Sequence, residues 1–285
     1  MTSFRDLLDG DDLIVAPGAY DALTARLVAE AGFPMVYMTG FGTAAALGYP
    51  DYGLLTMHEM VDNAGRIADA VDVPVLADAD TGFGNELNIT RTVREYERRG
   101  VAGIHLEDQV MPKRCGHLDG KQVVDRDDFT SRIAAAVAAR SSDDLVIVAR
   151  TDAAAVHGFD DAIGRANDAL AAGADVAFVE ALTTPEQVAA VPELVDGPCL
   201  LNLVPGGKTP LLTTDEVAAL GYRIAIHPVL LLGIVSTAVD AALGQLADTG
   251  MHPDAGISSV HDLAVRFGGE SWDTLRRDLD ERARR

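Results

Sequence analysis

The stretch 73-VPVLADADTGFGNELNITRTVREYERRGVAGIHLED-108 holds one complete strand–helix–strand unit. It opens on a short apolar run, 73-VPVLAD-78, that is near-continuous rather than alternating. Strands with that pattern are covered on both faces, as in parallel sheets flanked by helices. In 90-TRTVREYERRG-100 the charged side chains fit a solvated helix face, with Val93 and Tyr96 turned inward. Gly100 then ends the helix, and the apolar run 101-VAGIHLED-108 follows at once.

The same unit recurs along the chain. Strand-length runs stand at 13–17, 35–39, 73–78, 101–108, 145–150, 175–180, 199–204 and 222–227. Helical patterns fall between them at 21–32, 56–71, 88–100, 126–140, 159–173, 184–195 and 214–221. An open doubly wound sheet could be built from such units. Eight of them at even spacing, with no linker dividing them, favour closure into a TIM-type (β/α)8 barrel. The expected organisation is one barrel domain over 1–285, with 246–285 as a C-terminal helical extension around 258-SSVHDLAVRFG-268 and 271-SWDTLRRDLDERARR-285.

Composition narrows the function. The formal net charge of -21, from 44 acidic and 23 basic side chains, repels nucleic acid and anionic membrane. Only three of the basic residues are lysines, a bias that suits solubility in high salt. Two cysteines, Cys115 and Cys199, make neither a disulfide framework nor a zinc motif. The N-terminal MTSFRDLLDGDD lacks the basic and apolar regions of a secretion signal. The apolar 228-PVLLLGIVSTAVDAALG-244 contains Asp240 and reads as a buried helix, not a membrane span. A reducing, cytoplasmic setting follows.

In such a barrel, polar residues at the C-terminal strand ends converge on one mouth. Here those positions hold Thr39, Asp78, Glu107, Arg150, Glu180, Asn202 and His227. Asp78 and Asp80 are two apart, so an extended chain puts both carboxylates on one side. Like charges that close need a cation between them, and Mg2+ takes one or two carboxylates while keeping water and substrate oxygens. Glu107 and Asp108 can complete that shell; alternatively Asp80 merely caps a turn. Gly82 and Gly84 would leave room for backbone to approach a ligand.

The stretch 39-TGFGTAAALGYPDYG-53 contains GxGxxA at 40–45, a weak match to a dinucleotide site because Pro50 stops the helix such a site needs. The simpler expectation is a glycine-permissive loop, with no nucleotide or organic cofactor. Its amides and the Thr39 hydroxyl would cradle a carboxylate or phosphate. Asp51 either holds a metal-bound water or starts a turn. Arg150 offers a planar fork to a substrate carboxylate, oriented by Asp152, or else a satisfied ion pair with Glu180 or Glu107. Asn202 can bridge that network.

After the fourth strand comes 111-MPKRCGHLDGK-121, a basic patch in an acidic chain. It reads as a lid hinged at Gly116 and Gly120, with Lys113, Arg114 and His117 neutralising a small polyanion. Surrounded by such cations, Cys115 would have a depressed pKa and could switch between proton donor and base. The bland alternative is a solvated loop with an incidental thiol.

Together 17-PGAYDALTARLVAEAGF-33, 37-YMTGFG-42, 74-PVLADADTGFGN-85, 105-HLEDQVMPKRCGH-117, 149-ARTDA-153 and 206-GGKTP-210 resemble the isocitrate lyase/phosphoenolpyruvate mutase superfamily across nearly the whole chain. The likeness is to its short-chain members, such as 2-methylisocitrate lyase and 2,3-dimethylmalate lyase. The resemblance implies a barrel whose last helix is swapped with a partner in a homotetramer, a dimer of dimers. It implies Mg2+, with Mn2+ as a substitute, held by Asp78 and Asp80, and by Asp51 and Glu107 through water. Tyr37, Thr39, Gly40 and Gly42 then match the carboxylate-binding loop. Arg150, Glu180 and Asn202 match the substrate clamp, Gly116 and His117 the gating loop, and Cys115 the catalytic thiol.

The implied reaction is retro-aldol cleavage of a 2-hydroxy polycarboxylate, like 2-methylisocitrate or an alkylmalate, to pyruvate and succinate. Tyr37, or a carboxylate acting through water, would serve as base. Two positions depart from the short lyases: Pro205 stands where a glutamate is usual, and His227 where an aromatic is usual. These keep oxaloacetate decarboxylation and phosphonopyruvate or carboxyphosphonoenolpyruvate chemistry open, beside a non-catalytic ligand-binding homologue.

Overall fold

Eight parallel strands pair in chain order and close on themselves, β1 returning to β8. They are β1 (Ile14–Ala19), β2 (Val36–Met38), β3 (Val75–Asp78), β4 (Gly103–Glu107), β5 (Val146–Thr151), β6 (Val176–Val179), β7 (Cys199–Asn202) and β8 (Ile224–His227). Each of the eight apolar runs supplies one strand. The computed structural model describes residues 2–253 and 258–284, so the ends of two segments discussed above, Met1 and Arg285, lie outside the described residues.

Every expected interstrand helix is present: α2 (Ala22–Glu30), α4 (Met57–Ala68), α5 (Glu86–Arg98), α6 (Arg126–Ala139), α7 (Phe159–Ala171), α8 (Pro185–Leu194) and α9 (Thr214–Ala219). Asp21, Thr56, Asn85 and Thr213 start four of them with reciprocal capping boxes, which satisfy amides the first turn would leave orphaned.

Alternation along the strands divides the core. Ile14, Ala16, Tyr37, Leu76, Val146, Val148, Phe178, Leu200, Ile224 and Ile226 fill the barrel interior as one buried cluster. Their neighbours Ala77, Ile147, Ala149, Ala177, Leu201 and Ala225 pack outward with the helices.

Two helices were not expected. In α1 (Phe4–Asp9), begun by a Ser3–Asp6 capping box, Phe4 is buried among the interior residues and plugs the N-terminal end of the barrel. Gly103 makes that possible, since a Cβ there would lie 2.7 Å from the Phe4 ring. Arg223 holds α1 in place by donating to the carbonyls of Leu7 and Leu8. The second is α3 (Gly40–Ala46), where an irregular loop was expected. The Thr39 hydroxyl caps it by accepting the Gly42 amide at 3.2 Å.

The chain forms two compact units, 1–234 and 235–285. The last three helices are α10 (Leu230–Thr249), α11 (Val260–Arg266) and α12 (Gly269–Ala283). None of the twenty residues of α10 is buried, which overturns its reading as a core helix. By length and a mean hydropathy of 1.7 it could also cross a membrane.

Candidate active site

Asp78, Glu107, Arg150, Glu180 and Asn202 are all buried at the C-terminal end of the barrel. They face inward because each stands two residues beyond an inward residue: Leu76, His105, Val148, Phe178 or Leu200. His227 breaks the pattern. Ile224 and Ile226 are the inward residues of β8, so His227 shares the outward face of Ala225 and leaves the ring.

Arg150 is the hub. Its Nε donates to Asp152 at 2.9 Å, while its terminal nitrogens lie 3.3 Å from Glu107 and 3.5 Å from Glu180. Asn202 donates its amide to Glu180 at 3.0 Å. Beneath this layer the guanidinium sits 5.2 Å from the centre of the Phe178 ring, and the Tyr37 hydroxyl lies 2.8 Å from Nε2 of His105. Burial holds His105 down to about 4, so it is neutral near pH 7 and its 3.5 Å approach to Asp78 is dipolar, not ionic.

Asp78 accepts the amides of Gly40 at 3.2 Å and Asp80 at 2.9 Å. A Cβ at Gly40 would come within 2.3 Å of the Asp78 carboxylate, so only glycine permits the approach. Burial, the strongest influence on Asp78, is outweighed by His105, Lys113 and Arg150, which keep it below the usual carboxylate range. The backbone turns left-handed at Asp80, with φ of 47°, so the two acids are not set side by side by an extended strand. Burial pushes Asp80 up to about 6 against the pull of Lys113. Glu107, also buried, is raised further despite Arg150. Gly82 and Gly84 do not line this cavity. Cβ atoms there would strike Ile89 and Asn88, so their absence serves the start of α5.

The lid is folded over the mouth. Its base is closed by Val110 donating to Gln122 and Val124 to Asp108, each at 2.8 Å. The Gln109 side chain grips the Arg114 backbone from both directions, at 2.8 and 3.0 Å. Lys113 enters the site, 2.5 Å from Asp51 and 2.8 Å from Asp80. Arg114 does not; it is exposed, 5.8 Å from the Tyr52 ring. Gly116 packs where a Cβ would lie 2.5 Å from both Arg150 and Glu180. Nδ1 of His117 accepts the Lys208 amide at 3.1 Å, which leaves the neutral ring's proton on Nε2, 3.6 Å from Glu180.

Cys115 corrects the expectation of a low pKa. Burial pushes the thiol up to about 11, and of the cations expected around it Lys113 is paired with Asp51 and Asp80, Arg114 is exposed, and burial holds His117 down. It is therefore protonated, a donor rather than a switching group.

Among the described residues no three His, Cys, Asp or Glu side chains converge as a ligand set. Mg2+ does not require three, since water and substrate oxygens complete its octahedron. Glu107 Oε1 is buried without a hydrogen-bond partner, Glu107 Oε2 meets only Arg150 at 3.3 Å and Asp80 Oδ1 only the Lys113 ammonium at 2.8 Å, and hard carboxylate oxygens are the right donors for Mg2+ or Mn2+. The residues fit such an ion.

Residues 4–247 match the phosphoenolpyruvate phosphomutase family model. The chain belongs to that family. It is 49% identical over 236 residues to 2,3-dimethylmalate lyase of Eubacterium barkeri, covering 82% of each chain. To a probable 2-methylisocitrate lyase of Corynebacterium glutamicum it is 48% identical over 252 residues, covering 88% of this chain and 82% of the relative. Among solved structures it resembles oxaloacetate acetylhydrolase in complex with 3,3-difluorooxalacetate, with a TM-score of 0.94 and 42% identity. That match covers 98% of this chain and 96% of the other.

Within this phosphomutase-family barrel the sequence reading missed His105, which lies inside a strand instead of at its end. Strand parity with Glu107 was the available signal. Gln109 was missed because its partners are the backbone carbonyl and amide of Arg114 in the lid itself, and Lys121 because its partners, the Gly116 carbonyl and Asp152, are joined only by the fold.

Proposed function

We propose that the chain is a Mg2+-dependent carbon–carbon lyase. It cleaves a 2-methylisocitrate-like or alkylmalate-like 2-hydroxy polycarboxylate by a retro-aldol step to pyruvate and succinate. The observation that carries this reading is the folded lid, which bears Cys115 next to Gly116, whose backbone packs against Arg150 and Glu180. A bond cleavage that leaves a carbanion needs a proton donor, and a thiol held up at about 11 is one.

In this reading Asp78 and Asp80 hold the ion, with Asp51 and Glu107 behind water. When bound, Mg2+ supplies positive charge to the 2-hydroxy-carboxylate end of the substrate. Arg150, with the Nε2 proton of His117 and the amide of Asn202, orients the departing carboxylates and stabilises the enediolate charge. The amides of Gly40 and Gly42 and the Thr39 hydroxyl bound the opposite wall. A carboxylate takes the proton of the 2-hydroxyl through water, or Tyr37 does so while passing its own phenolic proton to Nε2 of His105, since burial keeps the phenol protonated on its own. Cys115 returns a proton to the carbanion.

The enzyme works in the cytoplasm as a homotetramer, a dimer of dimers. The barrel is one domain, and its helical extension, expected from 246, starts with α10. The exposed apolar residues Ile234, Val239 and Leu243 of α10 are the surface that a swapped helix from a second copy covers. Light scattering should give a tetramer; a monodisperse monomer, or partition into vesicles, would remove this part of the reading.

A second reading is favoured by the similarity to oxaloacetate acetylhydrolase. The enzyme would then cleave a carbon–carbon bond of oxaloacetate. One panel separates the readings. With Mg2+ and high salt, methylisocitrate, dimethylmalate and citramalate are assayed for 2-oxo acid, oxaloacetate for oxalate and for pyruvate, and phosphonopyruvate for phosphate. Turnover of a malate-type compound supports the lyase. Silence on all of them, with rapid loss of oxaloacetate, overturns it.

A further inference from the structure

The three lysines of the chain all touch the lid. Lys113 stands between Asp51 and Asp80, and Lys208 reaches Asp119 at 2.6 Å while its amide holds His117. Neither arrangement explains Lys121. Its side chain is 2% exposed, yet no reacting group is within its hydrogen bonds. Its ammonium donates to the Gly116 carbonyl, at the lid tip between Cys115 and His117, and to Asp152 at 2.8 Å.

Asp152 is the carboxylate that orients Arg150, through Nε at 2.9 Å and a terminal nitrogen at 3.3 Å. It is fixed from behind, since its amide donates to Asp108 at 2.8 Å, and Asp108 is tied to Thr151 and Arg165. Lys121 itself directly precedes Gln122, whose carbonyl anchors the lid base. An ammonium desolvated this completely is tolerated only with well-placed acceptors. One of its two acceptors, the Gly116 carbonyl, belongs to the lid.

We infer that Lys121 is a positioning residue: a fixed post on Asp152 onto which the Gly116 carbonyl docks, tying lid closure to the orientation of Arg150. The lid brings Cys115 to the mouth, so the post sets the placement of the thiol without touching substrate. Its catalytic consequence rests on the lyase reading; its action on the lid does not.

The test compares wild type with Lys121→Met, Lys121→Gln and Lys121→Arg at matched melting temperature. Closure is read by acetylation of the Lys113 amine, mapped by mass spectrometry, with and without Mg2+ and oxalate. In wild type the ligand should slow acetylation at least roughly tenfold, a ratio that reports local opening. Lys121→Met should abolish that protection. It should also lower kcat by about 100-fold with KM within about threefold, as a misplaced reacting group does. Lys121→Arg should recover part of both. Lys121→Gln, neutral but still a donor, should fall between them and serves if the methionine variant does not fold. Wild-type protection together with kcat within about threefold in the methionine or glutamine variant overturns the inference. If wild type turns over none of the panel compounds, the lyase reading fails, while the acetylation result still decides the post.

Discussion

Tyr37 and His105 share a 2.8 Å hydrogen bond on the floor of the site, both fully enclosed, with Asp78 3.5 Å from the same imidazole nitrogen. Replacing Tyr37 by Phe leaves that nitrogen without its partner. The expected cost is about 1–3 kcal/mol of stability, read by urea unfolding. Turnover should fall on the order of 100-fold or more if the hydroxyl is the base. Unchanged kcat would move the base role to a carboxylate.

His105 also predicts a pH dependence. Its folded pKa of about 4 is below the unfolded value of 6.5, so the unfolded chain takes up this proton first as pH falls. Its contribution is complete above about 6.5 and is lost as pH drops towards 4, on the order of 3 kcal/mol in all. In metal-free protein, His105→Gln should therefore lose less stability than wild type over that window.

Cys115 should behave as a poorly ionised thiol. A rise from 9.0 to about 11 makes the thiolate roughly 100-fold scarcer at pH 8, and alkylation by iodoacetamide slower in proportion. Cys115→Ser should retain oxalate binding by calorimetry and lose nearly all turnover. Retained turnover would end the donor assignment.

Gly116→Ala should keep the lid from seating, because its Cβ would meet Arg150 and Glu180 at 2.5 Å. We expect an on-the-order-of 100-fold loss of kcat with the melting temperature little changed, since the misplacement falls on the lid and leaves the barrel core untouched.

Mg2+ should raise the melting temperature in proportion to the logarithm of its concentration above Kd, and chelation should reverse the effect. Asp78→Asn and Asp80→Asn should each abolish the shift. A normal shift in both variants would place the ion elsewhere.

The barrel was legible because its strands are covered on both faces and its helices carry caps and terminal glycines. Asp78, Glu107, Arg150, Glu180 and Asn202 were legible because parity and strand end coincide. His227 has the position without the parity. The α1 plug escaped notice because six residues carry little periodicity and its meaning lies in the distant Gly103. Cys115 was misjudged because a run of basic letters does not say which acids will claim them. The exposure of α10 was equally invisible, since apolar composition is the same for a buried helix and an exposed one.

The inward–outward alternation has a consequence for how such a site can change through descent. Deleting one residue within β5 would send Arg150 to the helix layer and carry the strand's apolar neighbours into the mouth. Length variation is thus barred from the staves and confined to the connections above them. New specificities in this lineage should arise by exchanging loops and single strand-end letters over an unaltered frame.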